Sequence, residues 1–208
     1  MFNNDFKDVV FNRHSIKEFD TNVKISHEEM LQMIKEATTA PSSVNMQPWR
    51  FVVVESPEGK AKLRPLVRMN TRQNDSSAAM ILIFGDMRCY EKAEQIYSDN
   101  VRKGYMPEEI KKELMDAFMP EFKKASRAKM NDLVKIDASL AAMQLMLVAR
   151  AHGYDTNAIG GFEDDLLAEA FGIDKERYIP VMILAIGKAD GVAFSTTRLD
   201  PEEITIFK

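Results

Sequence analysis

Ala40-Pro41-Ser42-Ser43-Val44-Asn45-Met46-Gln47-Pro48-Trp49-Arg50-Phe51 compresses two hydroxyls, two amides, two prolines and the only tryptophan of the chain into twelve residues. Pro41 lacks an N–H and its ring clashes with a preceding helical turn, so a helix arriving from upstream must end near Ala40. Ser42, Ser43, Asn45 and Gln47 then supply donors and acceptors on side chains that lose little entropy when fixed. Pro48 and Trp49 lead into Arg50–Glu55, a β-branched run closed by Ser56-Pro57 that reads as a buried strand. A polar loop feeding a buried strand suits a planar polar ligand. The same residues also make an ordinary helix-to-strand turn, with Trp49 as a core residue.

Upstream, Ser26 as N-cap with Glu29 three residues later forms a capping box, and Met30, Leu31, Ile34 and Ala37 follow at helical spacing. A short helix is expected over Asn4–Asn12. Downstream, Pro57 at N1 opens a helix toward Met69. The apolar run Ala79–Phe84, ended by Gly85-Asp86, predicts a second strand. Arg88 to Lys129 is charged and helical, punctuated by Gly104, Pro107 and Pro120. Asn131–His152 is apolar nearly all round, which requires burial on several sides, as the central helix of the core or as part of a subunit interface. Gly153 ends it as a C′ residue. A short strand, Tyr154–Ile159, leads to Gly160-Gly161, then a helix over Glu163–Phe171, a last core strand over Tyr178–Gly187 and a partly extended tail over Arg198–Phe207. Helices outnumber strands and do not alternate with them, so the fold class is α+β, a small sheet with helices on both faces.

The 208 residues fit one domain, with 45% hydrophobic and 29% charged residues marking a soluble globular chain. A net charge of -4, without an arginine-rich segment, argues against nucleic acid. Cys89 is the only cysteine, so no intrachain disulfide or thiolate cluster can form; a packed thiol in a reducing cytoplasm is the expectation. The N-terminal stretch carries acids and no sustained apolar core, so it does not read as a secretory signal. The longest apolar run, Val181–Ile186, is too short to span a bilayer. His14, His27 and His152 lack metal-ligand spacing, and neither Ser42 nor Ser43 sits in a G-x-S-x-G elbow. Hydrolysis, metal chemistry and phosphoryl transfer therefore all lack parts.

Three further polar clusters stand out. Arg13-His14-Ser15-Ile16-Lys17 follows the first helix and suits phosphate oxygens, or simply complements a helix end. Asn70 and Gln73, between Arg68 and Arg72, could bracket a heterocycle edge or solvate a helix terminus. Gly160-Gly161 lets backbone approach a flat ligand closely, or makes a flexible turn. It does not have dinucleotide-fingerprint spacing, and no Walker A lysine is present. Glu163, Asp164 and Asp165 read as charge at a helix N-terminus.

The order of these clusters resembles the FMN-dependent nitroreductase family. R-H-S-I-K near the N-terminus, A-P-S-S-V-N-M-Q-P-W about 25 residues later, N-T-R-Q before a strand, G-G-F-E after the long apolar helix and a late arginine carry the likeness over essentially the whole chain. The resemblance implies a nitroreductase-like domain over 1–208, an intertwined homodimer with FMN at the interface, and a helical substrate cover at about 88–129. It implies that Arg13, Ser15 and Arg198, with His14 adjacent, bind the FMN phosphate. Lys17 would lie near the flavin pyrimidine edge, Asn70 and Gln73 at the polar ring edge, and Ile159, Gly160 and Gly161 near N5 and O4. Pro41, Ser42, Ser43 and Asn45 would come from the partner subunit.

The implied activity is ping-pong hydride transfer from NADH or NADPH, through flavin N5, to a nitroaromatic, quinone or related small-molecule acceptor. No side chain is an essential acid or base; Lys17, Gly160 and Gly161 tune the flavin. Flavin reduction, dehalogenation and specialised dehydrogenation on the same scaffold are alternatives, as is a non-catalytic FMN-binding regulatory protein. Two departures are visible: Thr196 stands where some relatives carry a lysine before the late arginine, and N-T-R-Q lacks a second ring-proximal lysine.

Overall fold

The buried strand that the sequence marks most clearly lies at the centre of a four-stranded sheet. In the computed structural model, which describes residues 2–208, the strands are β1 (Trp49–Val54), β2 (Ala79–Asp86), β3 (Asp155–Ile159) and β4 (Tyr178–Gly187). Their order is β1-β2-β4-β3, every pairing antiparallel. Side chains alternate across a strand. Ile81 and Ile83 of β2 with Leu184 and Ile186 of β4 pack on one face, and Met80, Leu82 and Phe84 with Ile183 and Ala185 on the other. Both faces are covered, which is why β2 reads as a continuous apolar run rather than an alternating one. Between β2 and β4 the register shifts: Ile83 opposes Met182 but Phe84 opposes Pro180. The extra residue, Val181, makes a bulge beside a proline that has no N–H for the ladder.

The helices are α1 (Phe6–Phe11), α2 (His27–Ala37), α3 (Pro57–Leu63), α4 (Thr71–Ser76), α5 (Ala93–Arg102), α6 (Glu108–Lys124), α7 (Arg127–Ala151), α8 (Asp164–Ala170) and α9 (Pro201–Ile204). α2 and α7 cover the first face through Met33, Ala37, Ala138, Ala141 and Leu145; Leu63, Val67 and Leu167 cover the second. This is the α+β arrangement expected, with helices on both faces. Ser26 accepts from the Glu29 N–H at 3.1 Å, closing the cap read from the sequence.

Three boundaries differ from expectation. The helix opened by Pro57 stops at Leu63 because Pro65 cannot extend the amide ladder, and the chain reaches α4 through two 3-10 turns. Pro120 does not break α6, which continues with Met119 and Phe122 buried on either side of it. α7 begins at Arg127, earlier than Asn131, because Ser126 caps it by accepting from the Lys129 N–H at 3.2 Å. Only part of α7 is covered: Ile136, Leu140 and Met143 are 63%, 44% and 41% exposed, an apolar stripe at i, i+4, i+7. Among the described residues, no helix is long and apolar enough to cross a membrane.

Candidate functional site

The R-H-S-I-K segment follows the outer edge of β3. α1 is capped by Asp5, whose carboxylate accepts from the Lys7 and Asp8 N–H groups, and it ends at Asn12. The chain then extends: the Ile16 N–H donates to the Thr156 carbonyl at 3.1 Å, and Asn157 Nδ2 donates to the Ile16 carbonyl at 2.9 Å. Ser15 makes a parallel bridge with Thr156. Ile16 and Phe19 are buried, so Ser15 and Lys17 are left exposed, with Arg13 and His14 half-buried. Among the described residues, neither Arg13 nor Lys17 has a carboxylate within 4.0 Å.

The amide and glycine clusters meet at the end of the same strand. Asn70 Nδ2 donates to the Gly161 and Val67 carbonyls, both at 3.1 Å, while Gln73 Nε2 donates to Asn70 Oδ1 at 3.2 Å. Asn70 is thus a brace for the glycine turn. Gln73 and Ile159 are buried, and a Cβ built on Gly160 would meet nothing within 4 Å, so one side of this turn is open. Arg68, in left-handed backbone with φ +48°, pairs with Glu163 at 2.8 Å and ties the two loops together at the surface. The hydrogen bond and charge of Arg68 hold the Glu163 carboxyl below its ordinary range.

The loop over residues 41–48 lies before β1, at the opposite edge of the sheet from β3. Val44, Asn45 and Gln47 have φ of 42°, 60° and 47°. Such conformations cost on the order of 1–3 kcal/mol for a non-glycine residue, and for β-branched Val44 the surroundings must enforce it. They do so from both sides. The Ser43 N–H donates to Asp137 Oδ2 at 2.9 Å, and the Ser43 hydroxyl to Oδ1 at 3.2 Å. From α5, the Tyr97 hydroxyl donates to the Val44 carbonyl at 2.7 Å. Within the loop, the Gln47 N–H donates to Ser42 Oγ at 3.0 Å and Gln47 Nε2 to Asn45 Oδ1 at 3.2 Å. Pro41 and Asn45 are exposed, and Ser42 and Ser43 half-buried.

Sequence reasoning does not single out Asp137, and it places Tyr97 only within the helical substrate cover, not at this loop. Asp137 is a lone acid in the apolar part of α7, in step with the buried positions Val134, Ala138 and Ala141, and that placement is the signal that marks it. Burial pushes its carboxyl above the usual carboxylate range, although the two Ser43 bonds pull the other way. A second buried acid, Asp86, has no exposure; Arg50 and Arg177 pair with it at 3.0 and 2.9 Å, and its N–H donates to the Pro48 carbonyl at 2.8 Å. These contacts secure the exit of the loop to the end of β2. Cys89 is buried nearby, and desolvation pushes its thiol up to about 12, so it is a packing residue at neutral pH.

Beside Ser43 and Val44 an apolar cavity of about 390 Å³ opens between α6 and α7, walled by Phe118, Phe122, Met130 and Leu133. Arg198 lies in the exposed tail, and among the described residues its hydrogen bonds reach only Thr196 and Thr197. One chain therefore brings together Arg13–Lys17, Asn70, Gln73 and Ile159–Gly161 around β3. It leaves Pro41–Asn45 at the far edge and Arg198 in the tail.

Known proteins share this fold and sequence. A family model described as Nitroreductase family matches residues 10–188. YdgI of Bacillus subtilis (strain 168), named provisionally as an NAD(P)H nitroreductase, is 50% identical over 205 residues, covering 99% of this chain and 98% of its own. A CLA biosynthesis enone reductase of Lactiplantibacillus plantarum is 42% identical over 208 residues, covering 100% and 96%. A protein of Exiguobacterium sibiricum 255-15, provisionally a nitroreductase and crystallised in complex with FMN, superposes with a TM-score of 0.97 at 50% identity, covering 100% of this chain and 99% of that one. With the matched region spanning every cluster around β3 and the strained loop before β1, the chain belongs to the nitroreductase family.

Proposed function

We propose that the chain is an FMN-dependent NAD(P)H oxidoreductase, one cofactor-binding domain over residues 1–208 that works as a cytoplasmic homodimer with FMN at the subunit interface. The observation that carries this reading is the convergence on β3 of three polar clusters distant in sequence: Ser15 bridged to Thr156 with the Ile16 N–H bonded to the Thr156 carbonyl, β3 ending at Ile159, and Asn70 bonded to Gly161.

The donor chemistry fits FMN. Arg13, Ser15 and Lys17 offer two cations and a hydroxyl, a set suited to phosphate and to the electron-rich edge of the ring. His14 stands beside them, and Arg198 of the tail would add a further cation. With the Asn70 amide spent on bracing the turn, Gln73 keeps its side-chain carbonyl for a ring N–H. Gly160, open on one side, lets a flat ligand come close to backbone.

FMN, when bound, supplies reversible two-electron exchange, by which electrons from NADH or NADPH reach an acceptor in ping-pong order. Lys17 would stabilise the negative charge that reduction brings to the ring by roughly a few kcal/mol if shielded from water. No side chain is needed as an essential acid or base, in keeping with the buried, inert Cys89.

Dimerisation is supported by the separation of the two halves. β1 and β3 are three strand spacings apart, about 14 Å. A second copy could deliver Pro41, Ser42, Ser43 and Asn45 to the cluster around β3. The bare stripe Ile136, Leu140 and Met143, and the exposed Phe6 and Phe11 of α1, are the surface such a partner would cover.

Nitroaromatics, quinones and related molecules are the acceptors this reading favours, under a cover formed by α5 and α6. An enone is a second acceptor class, supported by the apolar cavity beside Val44 and by the enone reductase relative. The test is spectroscopic. Purified protein should be yellow and release FMN on denaturation; anaerobic NADH or NADPH should bleach it, and a nitroaromatic, quinone or enone should restore the colour. A protein that takes up no FMN defeats the reading, and bleaching by neither nucleotide favours a regulatory FMN-binding protein.

A further inference from the structure

We propose that Asp137 is a positioning residue for the cofactor site: it clamps Ser43, with Tyr97 on Val44 as the opposing jaw, and so presents Ser42 and Asn45 to FMN. This rests on the reading that the loop before β1 contributes to the FMN site.

The loop cannot hold its shape by local preference. Val44, Asn45 and Gln47 all have positive φ, a conformation that L-residues avoid because Cβ crowds the carbonyl. Hydrogen bonds from two distant helices enforce it. Asp137 sits 94 residues away in sequence and is only 3% exposed; it accepts from both the backbone and the hydroxyl of Ser43. Tyr97, buried on α5, secures the next carbonyl.

The clamp also sorts the polar groups of the loop. The Ser43 hydroxyl hydrogen is donated to Asp137, so it cannot also be given to a phosphate or carbonyl oxygen of a ligand. Ser42 Oγ accepts from the Gln47 N–H and keeps its own hydrogen, and Asn45 keeps its Nδ2 while its Oδ1 accepts from Gln47. Ser42 and Asn45 are therefore the donors this loop can bring to FMN, and Ser43 is the point at which it is held. The raised carboxyl pKa of Asp137 agrees with a group kept dry for this purpose.

The experiment measures FMN release from purified holoprotein on dilution, read as free-flavin fluorescence, with secondary structure and oligomeric state recorded for each variant. Asp137→Ala should weaken FMN binding about tenfold or more in folded protein, because both Ser43 donors lose their partner. Asp137→Asn retains one acceptor for the Ser43 N–H and should restore most of the affinity, to within about threefold of wild type. A residue that served stability alone would lower the melting temperature without this pattern in FMN affinity. Should Asp137→Ala not fold, Tyr97→Phe, which deletes one hydroxyl at the opposing jaw, should still weaken FMN binding about threefold. Wild-type affinity in folded Asp137→Ala, or in Tyr97→Phe where that variant carries the test, overturns the clamp. Wild-type protein that holds no FMN instead overturns the cofactor reading, and the clamp with it.

Discussion

At the scale of single residues, burial decides which polar groups act and which stay silent. The Asp137 carboxyl is held above the ordinary range, so the folded chain keeps its proton at pH values where the unfolded chain has lost it. The unfolded state then binds fewer protons, and the contribution of this group to stability falls as pH rises from the ordinary carboxylate range through its folded pKa. Urea unfolding of wild type and Asp137→Asn between about pH 4 and about pH 7 should show the wild type losing ground to the variant as pH rises. Parallel curves would mean that Asp137 titrates as it does in the unfolded chain. Cys89, with its thiol pushed up to about 12 by burial, gives a second outcome. A thiol-specific disulfide reagent at neutral pH should leave native protein unlabelled while labelling the denatured chain fully.

At the scale of elements, the packing of α7 on the sheet sets the position of Asp137. A Cβ built on Gly85 of β2 would lie 2.6 Å from Val134 Cγ2 and 2.9 Å from Val134 Cβ. Helix and strand approach that closely only because Gly85 has no side chain. Gly85→Ala should therefore force α7 outward and destabilise the protein by about 1–3 kcal/mol. Val134→Ala in the same chain should recover part of the loss, since it removes the nearer contact and leaves the Cβ. Chemical denaturation of the two single variants and the double variant measures the coupling, and strictly additive effects would show that the contact does not limit the approach.

At the scale of the whole molecule, the apolar stripe on α7 and the distance between the two polar edges bear on one expectation. Placing a charge in the stripe with Leu140→Lys should leave the core intact but oppose self-association, because the ammonium group would be desolvated at the contact. Size-exclusion chromatography should then show a monomer, and its FMN content should fall together with the dimer fraction. A dimeric, fully FMN-loaded Leu140→Lys would place the interface elsewhere.

Much of this was legible in the sequence because it is local. The Ser26 cap, the buried apolar run Ala79–Phe84, which the structure extends to Asp86, and the helix stop before Pro41 each depend on neighbours within a turn or a strand, and the serial order of the polar clusters carried the family likeness. The tertiary structure alone decided what those residues do to one another. Asp137 meets Ser43 across 94 residues, and Asn70 meets Gly161 across 91. Such pairs exist only once α7 lies on the sheet and β3 runs beside the N-terminal segment. Local preference even opposes the loop, since Val44, Asn45 and Gln47 adopt backbone that their side chains disfavour. Periodicity and propensity report which surfaces must be buried; only the packing of distant elements determines which buried acid a strained loop will find.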